Sequence, residues 1–123
     1  MIRVLVVDDN ETVRWGICQV LQPQTDIKVV CEASDGTDAI RKALEHRPDV
    51  VLMDVSMPMM NGPEAAKRIK EQLPSTVIIF VSQFYPRLFA NEAKAAGAAA
   101  YILKSNVGSE LIPALHKIQR KPF

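Results

Sequence analysis

The sequence predicts an α/β fold in which a parallel sheet is wrapped by helices. Short runs rich in branched apolar residues are typical of strands covered on both faces, and they fall at residues 2–7, 50–53, 77–81 and 100–103, with a weaker run at 27–33. Between these runs, apolar residues recur at helical spacing. Strict alternation of strands and helices with short connections favours right-handed crossovers, which place the strands parallel in one sheet.

Three helices are predicted between the first four strands, and each apolar pattern ends before a proline. Pro63 directly follows Asn61 and Gly62, which suits the first turn of the third helix. The apolar positions are Val13, Ile17 and Val20 before Pro23, then Ala39, Ile40, Ala43 and Leu44 before Pro48, then Ala66, Ile69 and Leu73 before Pro74.

Two further helices are predicted on either side of the fifth strand. Residues 87–96 show a poorer helical pattern, which Gly97 closes as a cap. For the last helix we expect Ser109 as the N-cap and Pro113 in the first turn. Its buried stripe is predicted to contain Leu111, Ile112, Leu115 and Ile118.

Composition limits the classes of function. The 123 residues suit a single domain spanning 1–123, and a net charge of +1 argues against binding nucleic acid or anionic lipid through bulk charge. Cys18 and Cys31 lack the close spacing of a zinc or redox pair, so we expect free thiols in a reducing cytoplasm. The first apolar run meets Asp8 and Asp9 at once, unlike a signal peptide or a membrane span.

Polar residues stand where four of the predicted strands end. Asp8 and Asp9 follow strand 1, Asp54 follows strand 3, Ser82 follows strand 4 and Lys104 follows strand 5. In a flavodoxin-like (βα)5 fold with strand order 2-1-3-4-5 and helices on both faces, the carboxyl ends of these strands share one edge. The three acids would then converge beside strand 3, with the hydroxyl and the amine on its other side.

Three converging carboxylates repel one another, so the site needs a proton or a cation. Mg²⁺ fits because it takes oxygen ligands and leaves positions for water or phosphate oxygens. A carboxylate beside such a cation can attack a phosphoryl group, while a lysine and a hydroxyl stabilise the charge that it acquires. The pattern therefore predicts an aspartyl-phosphate site with Mg²⁺ as cofactor.

Each of these residues also has a simpler interpretation. Asp8 and Asp9 could cap helix 1, with Glu11 completing a capping box to Asp8. The role of Asp54 could be simply to order the turn that follows it, and Lys104 could be a solvated loop lysine. The phosphate-site hypothesis depends on all the residues together.

Four segments carry a resemblance to a known family, the receiver domain of bacterial two-component response regulators, over essentially the whole chain. They are VLVVDDNE (4–11), RPDVVLMDVSMPMMNG (47–62), VIIFVS (77–82) and AGAAAYILK (96–104). The stretch DIKVVCEASDGTDAI (26–40) and the tyrosine in the last strand resemble most the subgroup that usually carries a C-terminal helix-turn-helix DNA-binding domain.

The resemblance implies a role for each residue at the site. Asp54 would be the phosphoacceptor, and Asp8 and Asp9 would be the acidic pair that positions Mg²⁺. The backbone carbonyl of Ser56 would be a further metal ligand.

Three other residues would respond to the phosphoryl group. Lys104 would pair with it, Ser82 would hydrogen-bond one of its oxygens, and Tyr101 would be the switch aromatic that turns inward when the Ser82 hydroxyl moves. Helix 4, strand 5 and helix 5 would form the output surface.

The resemblance also implies partners. The donor would be a sensor histidine kinase in the cytoplasm, and the target an output domain or partner protein, with transcription as the output. DNA would be bound only through a domain outside these residues, a phosphorylation-dependent homodimer is compatible with the pattern, and no membrane contact is expected. The chain would be a phosphoacceptor with slow self-dephosphorylation and not an enzyme, either standing alone or excised from a longer regulator.

The sequence departs from the family pattern at two positions near the site. Ser105 follows Lys104 where many receivers have proline, often after a cis bond, which leaves the geometry of this loop open. Gln83 is larger than the residue that usually follows the hydroxyl. Trp15, near the rim of the site, is expected either to contact a kinase or to be partly buried.

Two alternative functions remain open at this stage. A degenerate receiver would act only as a protein-binding module, although all the site residues are present. An aspartyl-phosphate phosphatase would need a second acid two positions after the first, and Asp8 is followed by Asp9 and Asn10.

Overall fold

The computed structural model describes residues 1–119, and in them five strands alternate with five helices. The strands are β1 (Ile2–Val7), β2 (Ile27–Ala33), β3 (Val50–Met53), β4 (Val77–Ser82) and β5 (Ala100–Leu103). The helices are α1 (Glu11–Leu21), α2 (Gly36–His46), α3 (Gly62–Gln72), α4 (Pro86–Ala95) and α5 (Val107–Gln119), and a 3₁₀ turn, Lys104–Asn106, precedes α5. Every predicted strand is confirmed; Ser82, expected after β4, is its last residue.

The strands form one parallel sheet of order β2-β1-β3-β4-β5, which confirms the predicted flavodoxin-like topology. Val7 is level with Met53 across β1 and β3, and Met53 is level with Phe80 across β3 and β4. The carboxyl ends of three central strands therefore lie side by side, and the residues that follow them meet at one edge of the sheet.

The pairing of β1 with β2 contains a register shift. Val4 is opposite Val29, but Leu5 is opposite Cys31, so Val30 has no partner on β1. An extra residue of this kind forms a bulge, which bends the strand and increases its twist. The bulge lies in an edge strand, because β2 is the first strand of the sheet.

The sheet is buried on both faces, as the continuous apolar runs predict. On one face, Ile17 and Leu21 of α1 and Leu111 and Leu115 of α5 pack against alternate strand residues, among them Val4, Val6, Leu52 and Ile79. On the other face, α2, α3 and α4 present mostly small side chains, among them Ala39, Ala43, Ala65, Ala66 and Ala93, to Leu5, Val51, Met53 and Phe80. Within residues 1–119, no helix is both long enough and apolar enough to cross a bilayer.

Helix α4 is irregular, as its weak pattern predicts. Phe89 lies inside the helix with non-helical dihedral angles of φ −129° and ψ 16°. The helix is followed by Gly97 in the left-handed region, with φ 80°, which confirms the predicted glycine cap.

The prediction for the start of α5 is wrong. Ser109 lies inside the helix and its hydroxyl donates to the carbonyl of Asn106, while the helix begins at Val107. The 3₁₀ turn leads directly into the helix, so no separate N-cap residue is needed at 109. Pro113 consequently lies beyond the first turn, inside the helix.

Candidate functional site

Three carboxylates meet where β1 and β3 end. Asp8 and Asp54 are buried and Asp9 is exposed. One carboxylate oxygen from each residue lies within 4.8 Å of the others. Backbone hydrogen bonds hold the two buried acids in place, because the N–H of Asp54 donates to Val7 and the N–H of Asp8 donates to Ala33. The structure thus brings together the three acids that the sequence predicts.

Lys104 closes the site from the end of β5. Its Nζ lies 2.9 Å from Oδ2 of Asp8 and 3.4 Å from Oδ2 of Asp54. Burial lowers the pKa of this lysine, but its hydrogen bonds to Asp8 and Asp54 and their charges outweigh burial and raise the pKa above its usual value. The interpretation of Lys104 as a solvated loop lysine is therefore wrong.

The surroundings of Asp54 strongly disfavour its ionised form. Burial and the charge of Asp8 raise its pKa to about 6, although Lys104 and the backbone N–H of Ser56 oppose this change. A carboxylate that is costly to ionise is stabilised by further positive charge. The charges at the site therefore favour the binding of a cation in addition to the lysine.

The residues fit Mg²⁺. The candidate ligand atoms of Asp8, Asp9 and Asp54 are all carboxylate oxygens, which is the ligand type that this ion prefers. Oδ2 of Asp8 is buried, and among the described residues its polar contact is the ion pair with Lys104 at 2.9 Å. An oxygen of this kind retains the capacity to ligate a metal. The Ser56 carbonyl stays a predicted ligand.

Helix capping does not explain the acids after β1. The N-cap of α1 is Asn10, whose side chain accepts from the N–H of Val13 at 3.1 Å. Oδ1 of Asp8 accepts from the N–H of Asn10 at 2.9 Å and so shapes the turn before the helix. The alternative in which Asp8, Asp9 and Glu11 form a cap is therefore wrong.

Ser82 and Tyr101 both contact one peptide segment. The buried hydroxyl of Ser82 accepts from the N–H of Phe84 at 3.0 Å, and the Tyr101 hydroxyl donates to the carbonyl of Phe84 at 2.9 Å. The ring of Phe84 lies 5.5 Å from the ring of Phe89, the irregular residue of α4. Sequence reasoning missed Phe84, because nothing in its local pattern distinguishes it from other loop residues.

The loop after Asp54 depends on Gly62. A Cβ at this position would lie 2.0 Å from the carbonyl oxygen of Asp54, so only glycine fits. The N–H of Gly62 donates to the carbonyl of Val55 and closes the loop. On the same loop, Met59 is fully exposed and has φ 70°.

The positions that depart from the family pattern have simple geometry. No peptide bond within residues 1–119 is cis, so the bond between Lys104 and Ser105 is trans. Gln83 is exposed. Trp15 is 64% exposed, so most of its side chain is accessible to a partner.

The clustered acids and their lysine lie at the carboxyl ends of the strands of a 2-1-3-4-5 sheet, which is where open α/β folds place their ligand sites. The response regulator receiver domain family matches residues 4–116, and the chain belongs to this family. It is therefore a receiver domain of a two-component system, a signalling domain and not an enzyme. Receiver domains generally bind Mg²⁺ at an acidic pocket.

Individual proteins show the same relationship. The chain is 44% identical to the transcriptional regulatory protein YxjL and 43% identical to the transcriptional regulatory protein LiaR, both of Bacillus subtilis, over 97% and 94% of its length. It covers 55% and 54% of those proteins, so it spans about half the length of these relatives. The structure of a LuxR-family two-component response regulator from Aurantimonas aligns with a TM-score of 0.90 and 33% identity, covering 96% of this chain and 84% of that one.

Proposed function

We propose that Asp54 accepts a phosphoryl group from the phosphohistidine of a sensor kinase. The observation that carries this proposal is the meeting of the Asp8, Asp9 and Asp54 carboxylates within 4.8 Å, with Lys104 in contact with two of them. Three carboxylates this close repel one another, and a bound cation lowers that cost. The receiver family of the chain supports the same role.

The transfer itself is a displacement at phosphorus. A carboxylate oxygen of Asp54 forms the new bond to phosphorus while the bond from phosphorus to the donor nitrogen breaks, and the departing imidazole takes a proton from solvent. Mg²⁺ bound by Asp8, Asp9, Asp54 and the Ser56 carbonyl would supply neutralisation of the phosphoryl oxygens. Lys104, whose Nζ lies 3.4 Å from Oδ2 of Asp54, would place a second positive charge next to the same oxygens.

Phosphorylation then changes the partners of Ser82. Its hydroxyl accepts from the N–H of Phe84, and a phosphoryl oxygen on Asp54 would draw the hydroxyl toward itself. Tyr101 would respond because it is bonded to the carbonyl of the same residue, Phe84. A preference of ~3 kcal/mol for one arrangement would shift the population about a hundredfold.

The output surface is α4, β5 and α5. Irregular geometry at Phe89 is consistent with a movable α4. The relatives are named transcriptional regulators and are about twice as long as this chain, which supports an output domain that controls transcription. DNA would be contacted only by that domain, and the phosphorylated receiver could also pair with a second copy.

Trp15 is exposed and is a candidate contact for the kinase. The encounter with the kinase would take place in the cytoplasm.

Intact-mass measurement tests the phosphoacceptor role. The chain is incubated with acetyl phosphate and MgCl₂, and we expect the mass of one phosphoryl group to be gained. The gain should disappear with EDTA and in the Asp54→Asn variant. Asp26→Asn is the matched control. Asp26 directly precedes β2, so it lies at the amino ends of the strands, away from the acid cluster, and its carboxylate is 3.0 Å from His116.

Other outcomes would favour the alternatives. An equal gain in Asp54→Asn would show that another residue is the acceptor. No gain in the wild-type chain would favour a degenerate receiver that only binds partners. Release of phosphate over many turnovers would favour a phosphatase.

A further inference from the structure

We propose that Arg14 is a positioning residue for the metal site, which it serves by holding the turn that carries Asp8 and Asp9. This inference rests on the proposed Mg²⁺ and phosphoryl chemistry, and it concerns a residue outside the acid cluster. Arg14 lies on α1, and its side chain is only 17% exposed. Arginine is rarely this buried unless its charge has a specific partner.

The side chain connects two elements to the acid turn. Its Nη1 donates to the backbone carbonyl of Asp8 at 2.7 Å. Its Nε lies 3.4 Å from Oε1 of Glu32, near the end of β2. The next residue, Ala33, accepts from the N–H of Asp8. Both peptide groups of Asp8 are therefore held, one by the end of β2 and the other by a side chain that is itself paired with β2.

This arrangement bears on metal binding through geometry. The carboxylates of Asp8 and Asp9 extend from the same turn, and Arg14 adds a contact to its backbone beyond those from Ala33 and Asn10. Ligand positions must be accurate for Mg²⁺, which demands near-ideal octahedral geometry. Among residues 1–119, Arg14 is the side chain that bonds the Asp8 carbonyl. A planar guanidinium with several donors can hold a carbonyl and a carboxylate at once, whereas a lysine ammonium is a single point charge.

Glu32 has a complementary part. A positive guanidinium beside a site for a divalent cation would repel that cation, and the paired carboxylate of Glu32 offsets the repulsion. Arg14 can therefore contact the acid turn through Nη1 while its charge is paired with Glu32, so little net charge is added near the metal. Because the Glu32 side chain is 48% exposed, solvent screens its attraction to Arg14, and the ion pair by itself contributes little to stability.

The test measures Mg²⁺ affinity and stability separately. The variants are Arg14→Lys, which keeps the charge, Arg14→Met, which keeps only the length, and Glu32→Gln. Arg68→Lys is the control, because Arg68 forms an ion pair of similar length, 3.1 Å, with Glu64 on α3. For each variant, Kd for MgCl₂ is measured by calorimetry below the melting temperature, Tm is measured in EDTA, and the rate of phosphorylation by acetyl phosphate is followed against MgCl₂ concentration.

We expect both Arg14 variants to weaken Mg²⁺ binding about tenfold, with a smaller loss for Glu32→Gln and none for the control. The phosphorylation rate should return toward that of the wild type at saturating MgCl₂, since the chemical groups are intact. A merely structural arginine would lower Tm and leave Kd of the folded protein unchanged. Rescue of Kd by Arg14→Lys would show that charge, and not the double contact, matters, and would overturn the proposal.

Failure of the inference can be told apart from failure of the proposed function. If wild-type protein binds Mg²⁺ and takes up the phosphoryl group but Kd stays within about twofold in both Arg14 variants, only the role of Arg14 is wrong. If the wild type does neither, the proposed function fails first, and the inference fails with it. Should the Arg14 variants not fold, an unchanged Kd in Glu32→Gln would overturn the inference, and a weakened one would support it.

Discussion

The hydroxyl of Tyr101 donates to the backbone carbonyl of Phe84 at 2.9 Å. The acceptor belongs to the residue whose N–H is bonded to the Ser82 hydroxyl, so β5 and the end of β4 are both hydrogen-bonded to the same peptide segment. We expect Tyr101→Phe to lower the free energy of unfolding by about 1 kcal/mol, because the hydrogen bond is lost while the ring still packs. Urea unfolding measures the change.

The control for this variant is Tyr85→Phe. Tyr85 is 62% exposed, so removing its hydroxyl should leave the free energy of unfolding nearly unchanged. Equal losses in the two variants would contradict a specific role for the Tyr101 bond.

The raised pKa of Asp54 predicts a pH-dependent stability. Because this pKa is about 6 in the folded protein and 3.8 for an unperturbed aspartate, the folded chain binds more protons than the unfolded chain between these values. This group therefore adds stability as the pH falls through about 6 and removes it as the pH rises. In metal-free buffer, Asp54→Asn should be more stable than the wild type by about 2 kcal/mol at about pH 7, and the difference should vanish near about pH 4.

Urea unfolding of both proteins across this pH range, in EDTA, measures the difference. If Asp54→Asn is less stable than the wild type at neutral pH, the ion pair with Lys104 outweighs the cost of burying the carboxylate. That result would contradict the direction of the pKa change.

Magnesium should stabilise the folded chain. A ligand that binds only the folded state adds about 1 kcal/mol when its concentration is about five times Kd. We expect MgCl₂ to raise Tm of the wild type and of Glu64→Gln, an exposed residue of α3, but not that of Asp9→Asn. Differential scanning calorimetry with and without EDTA makes the comparison, and an equal rise in Asp9→Asn would place the ion elsewhere.

Two glycines should respond in opposite ways to the same substitution. Gly62→Ala puts a Cβ 2.0 Å from the Asp54 carbonyl oxygen, so the loop must move, and we expect a loss of about 2 kcal/mol or more together with slower phosphorylation. Gly16 lies inside α1 with open space around its Cβ position. Gly16→Ala should stabilise the chain by about 0.5–1 kcal/mol because alanine favours helix.

Thermal unfolding and the phosphorylation rate separate the two effects. A Gly62→Ala protein that unfolds and is phosphorylated like the wild type would show that the loop rearranges at little cost. Loss of stability in Gly16→Ala would indicate a helix position under constraints that the local geometry does not reveal.

The fold could be predicted in detail because buried parallel strands have a strong signature. Runs such as Val50–Met53 are short, branched and continuous, and proline or glycine separates them from the helices. The order of the strands then determines which residues meet, so the convergence of Asp8, Asp54 and Lys104 followed from topology.

The start of α5 could not be predicted from local pattern. Ser109 is of a residue type that often caps helices. However, the 3₁₀ turn that begins at Lys104 continues directly into the helix, and this continuity depends on the direction in which the chain leaves β5. Similarly, Asp8 is as good a cap by type as Asn10, and only the backbone geometry of the turn shows which of them binds the helix.

The supporting residues of the site were also beyond sequence reasoning. Arg14 has the spacing of any exposed helix residue, and its burial arises because β2 brings Glu32 alongside it. Phe84 acts through its backbone, which carries no side-chain signal. Contacts between elements, or through peptide groups, can be identified only in the folded structure.

The bulge at Val30 has a consequence for how copies of this domain behave when they are crowded together. A sheet grows by adding strands at its edges, and a flat, regular edge is the best template for such growth. Here one edge is β2, which is bent by its unpaired residue, and the other is β5, which has only four residues. Both edges are poor templates, so crowded copies of this domain should resist joining edge to edge into amyloid-like aggregates.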